Sequence, residues 1–178
     1  MSPAAAAPRL QVRDATAADI PALLDLMHGL ARYERYAPDF RVTEAVLLAQ
    51  GFGAGAPDFE ALVAEAGGGV LGMAVHYMVP FTYRARPTLY LKELYVAEAG
   101  RNRGAGAALL TALARRARER GCALVKWQVA RWNGDAMRFY ERLGARADDG
   151  WVDYQLDADG IDALAGGGAR DRAPAASD

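Results

Sequence analysis

The feature that most limits how this chain folds is a strand, a glycine-bearing loop and a long helix set end to end between residues 88 and 120, with a second strand behind them. TLYLKELYV, residues 88–96, is rich in aromatic and leucine side chains and reads as a long central strand. Gly106 to Arg120 places Leu109, Leu110, Leu113, Ala114 and Ala117 on one stripe, collects Arg115, Arg116, Arg118 and Arg120 near its C-terminal end, and stops at Gly121. ALVKWQVA, residues 123–130, reads as a strand again. Two strands joined by a crossover helix pair in parallel with a right-handed connection, so residues 89–129 commit the chain to an α/β sheet.

The flanking segments extend that sheet. Leu10 to Arg13 is a short strand, followed by a helix with Ile20, Leu23, Leu24, Met27, Leu30 and Ala31 at helical spacing and Thr16 or Asp19 as its cap. A shorter helix starts at Thr43, turns Val46 and Leu47 inward and ends at Gly51. ALVAEA and VLGMAVHYMV, joined by Gly67-Gly68-Gly69, read as an antiparallel hairpin. Asn133 to Leu143 carries Ala136, Phe139, Tyr140 and Leu143 on one helical face with Gly144 as its terminator, and Gly150 to Leu156 reads as a final strand. Residues 1–8 and 166–178 lack apolar periodicity and read as mobile tails around one domain, 9–165.

Charge and cysteine count narrow the chemistry. With 21 Lys+Arg against 22 Asp+Glu, nothing in the balance advertises a nucleic-acid or anionic-membrane partner. A single cysteine, Cys122, excludes an internal disulfide, and with only His28 and His76 beside it a Cys/His metal site is not expected. The N-terminal MSPAAAAPRL is not a basic segment followed by an apolar stretch, and no run of about 18 apolar residues occurs, so a soluble cytoplasmic protein is expected. Cys122 reads as buried filler, and His76, alternating with apolar neighbours, as a strand histidine satisfied by its surroundings.

Between central strand and helix lies Arg101-Asn102-Arg103-Gly104-Ala105-Gly106. Small residues let backbone N–H groups approach a ligand, and the helix start adds its positive dipole end, which makes the loop a phosphate or pyrophosphate site. A dinucleotide fold would want a third glycine where Leu109 stands, and the Gly-Lys-Ser/Thr of a P-loop is absent. Arg101, Gly104 and Gly106 instead match the Gln/Arg-x-x-Gly-x-Gly/Ala motif of the GNAT N-acetyltransferases. Trp132-Asn133 and Phe139-Tyr140-Glu141-Arg142-Leu143-Gly144-Ala145 resemble that superfamily's second cofactor segment. Leu30-Ala31-Arg32-Tyr33-Glu34, Gly51-Phe52-Gly53 and Leu89 to Val96 are similar to its spermidine/spermine (diamine) N-acetyltransferase subgroup, so the likeness spans about residues 10–157.

The resemblance implies a GNAT fold, a mixed central sheet flanked by helices around a β-α-β acetyl-CoA-binding core, and acetyl transfer to a small-molecule amine. It implies cofactor contacts at Leu94, Tyr95, Val96, at Arg101, Asn102, Arg103, Gly104, Ala105 and Gly106, and at Asn133, Asp135, Ala136 and Tyr140. Tyr140 is the candidate general acid, and Glu93 or Glu34 the candidate base. Tyr33, Glu34, Arg84, Lys92, Glu93 and Asp149 form the candidate amine site. Strand alternation turns only one of Lys92 and Glu93 into the cleft unless a bulge intervenes, and the sequence leaves open which. Lys92 stands where the subgroup carries an acid, and Arg84 and Arg86 add charge ahead of the strand, so an amino-acid-like amine such as thialysine ranks before polyamines. A homodimer is implied by the resemblance alone, and the rival class is a non-catalytic acyl-CoA sensor that keeps the fold.

Overall fold

The computed structural model describes residues 9–80 and 83–166. Contacts divide the chain into two compact units, one running to Phe139 and the other from Tyr140 onward. The expected tails lie outside the described residues, apart from Gly166.

In the first unit five strands form one sheet in sequence order. They are β1 (Gln11–Asp14), β2 (Glu60–Ala66), β3 (Gly69–Val79), β4 (Thr88–Val96) and β5 (Leu124–Lys126). β1 to β4 are antiparallel neighbours, and β5 runs parallel to β4. The hairpin turn between β2 and β3 has positive φ at Gly67 (63°) and Gly68 (80°), the backbone that a two-residue loop matching strand twist requires. Side chains then alternate across the sheet. Val63, Met73 and Val75 join the core under helices α1 (Ile20–Tyr33) and α2 (Glu44–Gly51), whereas Leu62, Ala64 and Ala74 join the core under α3 (Ala105–Glu119).

Helix ends are fixed by side chains. Asp19 accepts from the Thr16 backbone N–H at 2.8 Å, and its carboxylate takes a two-pronged bond from Arg13 at 2.7 and 2.8 Å, which joins β1 to the start of α1 and holds the Asp19 carboxyl far below the usual range. The Thr43 hydroxyl caps α2 by accepting from the Val46 N–H at 3.3 Å. Gly29 lets α1 settle on the sheet, since a Cβ there would lie 2.7 Å from the Tyr95 ring.

Two expectations are corrected. The strand at 123–130 shortens to Leu124–Lys126, because β4 supplies a parallel partner only as far as Tyr90. The stripe of α3 buries Ala105, Leu109, Leu113 and Ala117, with Ala114 exposed. Arg116 and Arg120 are engaged by carboxylates. They reach across the sheet to Glu60 and Asp14, with Arg120 Nη2 2.7 Å from Glu60.

The second unit begins within α4 (Gly134–Arg142), whose end turns at Gly144. No strand forms at 150–156. That stretch is irregular, with Trp151, Val152 and Tyr154 exposed, since a lone strand has no ladder to join. A helix that periodicity did not predict, α5 (Ala158–Ala165), follows, its start capped by Asp157 accepting from the Gly160 N–H at 2.8 Å.

His76 sits fully buried in β3 against α3, and Arg116, which can only donate, lies 3.3 Å from its Nε2. The ring is therefore neutral, and burial holds its pKa down to about 4. A histidine lowered on folding takes up protons more readily in the unfolded chain, so stability is complete above the unfolded value of about 6.5 and falls as pH drops toward 4. Chemical denaturation should find the protein about 2 kcal/mol less stable at pH 5 than at pH 7 from this group. His76→Gln, which keeps an acceptor for Arg116, should remove most of that difference.

Candidate functional site

The site begins with an irregularity in β4. Val75 pairs with Glu93 and His76 pairs with Leu91, which leaves Lys92 as an extra residue in the strand. Leu89 and Leu91 before it, and Leu94 and Val96 after it, all pack on the α3 side, whereas Tyr95 packs under α1. Alternation therefore restarts at the bulge. Lys92 and Glu93 both fall on the α1 face, the exception to strand alternation that a bulge allows.

Two groups, Glu34 and Tyr36, gather with them at the end of α1. Glu93 has one carboxylate oxygen buried without a hydrogen-bond partner, and burial raises its pKa, opposed by the charge of Lys92 and reinforced by Glu34. The half-buried Glu34 carboxyl is also raised by burial and also feels Lys92. Tyr36, which the sequence reading did not single out, is pushed up to about 12 by burial and by the carboxylates Glu93 and Glu34. An unpartnered buried carboxylate oxygen is costly in an apoprotein, and it suits a place where a cationic or proton-bearing guest completes the set. Only the aromatic residue two positions after Glu34 could have pointed to Tyr36 in the sequence.

Beside this cluster the sheet opens. β4 and β5 pair only from Thr88–Leu124 to Tyr90–Lys126, so among the described residues the edge of β4 from Leu91 to Val96 that faces away from β3 has no ladder partner. Backbone N–H groups on an edge without a ladder partner are donors that can meet a ligand oxygen. The loop after β4 carries two left-handed residues. Asn102 (φ 58°) and Gly104 (φ 81°) both adopt the left-handed conformation, which turns successive N–H groups to one side, and Gly104 is also the N-cap of α3. A nest at a helix start is an anion site. Gly106 has another task, because a Cβ there would lie 3.2 Å from the Phe139 ring. It keeps room between the first turn of α3 and α4.

The remaining sequence candidates separate into groups. Asn133 is buried and its Oδ1 accepts both from the Ala136 N–H at 3.2 Å and from the Tyr33 hydroxyl at 3.3 Å, so Asn133 caps α4 and ties Tyr33 to the start of that helix. The Asp135 carboxylate pairs with Arg138. Arg84 lies 5.0 Å over the Tyr83 ring. Arg86 donates to the carbonyls of Gly121 and Cys122 at 2.8 and 2.9 Å, which makes it a clamp on the end of α3. Tyr140 and Asp149 belong to the second unit, Tyr140 half-buried on α4 and Asp149 exposed in the irregular stretch. Among the described residues no cluster of three His, Cys, Asp or Glu side chains is placed to hold a metal ion, and no helix is long and apolar enough to cross a membrane.

This architecture has known counterparts. The model of the Acetyltransferase (GNAT) family matches residues 23–145, which spans α1, the bulged strand, the glycine loop and α4. The chain belongs to the GNAT acetyltransferase family. It is 30% identical over 166 residues to a thialysine N-epsilon-acetyltransferase of Sus scrofa, covering 87% of this chain and 96% of that protein. It is 33% identical over 153 residues to the spermidine/spermine N(1)-acetyltransferase-like protein 1 of Homo sapiens, covering 79% of this chain and 21% of that longer one. An integron cassette protein from the mobile metagenome of V. cholerae shares the fold with a TM-score of 0.74 at 23% identity, covering 88% of this chain and 97% of that one. GNAT enzymes use acetyl-CoA as co-substrate, and the nest at Asn102–Gly104 with the open edge of β4 fits its pyrophosphate and its extended arm.

The left-handed Gly104 gives a test of that fit. A Cβ there meets no neighbour, yet an alanine at φ 81° costs roughly 1–2 kcal/mol, so Gly104→Ala should distort the nest without a clash. Calorimetric titration with CoA should show a Kd raised about tenfold, while Ala107→Ser on the same helix changes it less than twofold.

Proposed function

We infer that this acetyltransferase transfers the acetyl group of acetyl-CoA to the primary amine of a small amino-acid-like molecule such as thialysine, with diamines and polyamines as weaker acceptors. The observation that carries this reading is the buried, unpartnered oxygen of Glu93 on the same face as Glu34 and Lys92. Two carboxyls attract an ammonium group, and one lysine beside them supplies a partner for a carboxylate on the same molecule. The names of the pig and human relatives, one for an amino acid and one for polyamines, bracket the same choice.

An alkyl ammonium has a pKa of about 10.4 and must lose a proton before it attacks. Glu93, raised by burial, accepts that proton directly or through a water more readily than an ordinary carboxylate does. Backbone N–H groups of Leu94 to Val96 on the open edge of β4 meet the oxygen that gains charge at the acetyl carbon. Tyr140 protonates the leaving thiolate, a role that rests on the likeness of Phe139–Ala145 to the family's second cofactor segment. The nest at Asn102 and Gly104 holds the pyrophosphate, and Asn133 fixes the start of α4.

A thiol-release assay with acetyl-CoA and a panel of thialysine, lysine, ornithine, putrescine and spermidine tests the acceptor class, with the amino acids expected to lead. Lys92→Glu should shift kcat/KM toward spermidine by about tenfold or more relative to thialysine, and a preference that does not move would remove Lys92 from recognition. Glu93→Gln should lower kcat by about 100-fold or more, and Tyr140→Phe should lower kcat with CoA binding nearly intact. Because burial raises Glu93, the wild-type rate should fall on its acid side at a pH above the ordinary carboxylate range, as protonation removes the base.

A further inference from the structure

Three helices of this chain end in the same way, and one of them uses the wrong residue for it. At the ends of α3 and α4 the chain reverses through left-handed Gly121 (φ 66°) and Gly144 (φ 89°), with Cys122 N–H bonded to Ala117 O at 2.8 Å and Ala145 N–H to Tyr140 O at 3.1 Å. At the end of α1 the same pattern recurs, with Tyr36 N–H bonded to Ala31 O at 3.0 Å and Arg35 N–H to Arg32 O at 3.3 Å. The left-handed position here is Arg35, at φ 66°. Glycine takes this conformation freely, and a long side chain does not.

What Arg35 gains for that strain is a contact. Its guanidinium carbon lies 5.7 Å from the ring centre of Trp132, within cation–π range. Trp132 in turn is 5.6 Å from Tyr33 in a tilted pair, Arg101 lies 5.8 Å from the Tyr33 ring centre, and the Tyr33 hydroxyl reaches Asn133. A chain of contacts thus runs from the end of α1, through the residue that precedes the α4 cap, to the first residue of the glycine loop. Its upper end brackets Glu34, the residue between Tyr33 and Arg35, and Tyr36 follows directly. Strained backbone that persists where glycine would relieve it points to a role in the site rather than in folding.

We propose that Arg35 is a positioning residue that, by stacking on Trp132, holds the turn bearing Glu34 and Tyr36 against Glu93, and so sets the affinity for the acceptor amine. This rests on the acceptor site argued above. The proposal predicts a sign that simple electrostatics does not. Arg35 is a cation next to a site for a cation, so its removal should tighten amine binding by charge alone. Loss of the clamp loosens it.

The experiment is steady-state kinetics of wild type, Arg35→Gly, Arg35→Lys, Trp132→Leu and the Arg35→Gly/Trp132→Leu double variant, together with their thermal midpoints. Arg35→Gly should melt at the same temperature as wild type or higher, raise KM for the amine at least fivefold, and leave kcat and KM for acetyl-CoA within twofold. Arg35→Lys, which keeps a cation over the ring, should recover most of the affinity. Trp132→Leu should raise the amine KM at least as much, and the double variant should go no further than Trp132→Leu, in which the Arg35 contact is already lost. An amine KM that is unchanged or lower in Arg35→Gly, or single effects that simply add, would overturn the proposal; Trp132→Leu reads the same contact if Arg35→Gly folds poorly. Absence of turnover in wild type with every amine would instead remove the acceptor reading itself.

Discussion

The extra residue in β4 is the constraint on which the site depends. A regular strand would send Lys92 and Glu93 to opposite faces, and one of them would be driven into the apolar layer under α3. With Lys92 inserted, Leu89, Leu91, Leu94 and Val96 all stay in that layer while Lys92 and Glu93 both turn toward α1. Bulges sharpen the local twist, and β4 leaves β5 just ahead of this one, after Tyr90. A single inserted residue therefore accompanies both a carboxylate cluster on one face and an open backbone edge beside it.

The two halves of the proposed reaction draw on different kinds of structure. The cofactor side is built from backbone, through left-handed Asn102 and Gly104, the start of α3 and the unpaired edge of β4. The acceptor side is built from side chains, Glu34, Tyr36, Lys92 and Glu93, whose charges perturb one another. Backbone sites tolerate wide changes of sequence, whereas side-chain sites set specificity. That division fits a chain that belongs to the GNAT family and shares about 30% identity with a relative named for an amino acid and with another named for polyamines.

The sequence was most legible where local signals agreed. The hairpin at Gly67-Gly68, the bounds of β4 and the stop of α3 at Gly121 all follow from residue type and spacing, and so does the glycine loop. It was least legible where tertiary contacts decide. Nothing in ALVKWQVA announces that its partner strand ends at Tyr90, and nothing in residues 150–156 announces that no ladder receives them. The bulge at Lys92 is visible only once β3 is laid beside β4, because Leu91-Lys92-Glu93-Leu94 keeps its leucines three apart, a spacing that alternation alone misreads. Nothing in the arginine-rich end of α3 announces that Arg116 and Arg120 pair with Glu60 and Asp14 on β2 and β1.

The central claim is that Glu93 holds a buried carboxylate oxygen without a hydrogen-bond partner on the proposed acceptor face. Carbon-13 NMR titration of the glutamate side-chain carboxyls measures this without reference to turnover. The account predicts that the Glu34 and Glu93 carboxyls both titrate above the ordinary glutamate value of about 4.3, that Glu93→Gln removes one of these two signals, and that the Glu93 signal moves higher still when Lys92→Ala removes the neighbouring cation. A spectrum in which every glutamate titrates in the ordinary range, or in which Glu93→Gln removes no raised signal and the raised signals ignore Lys92, would contradict it.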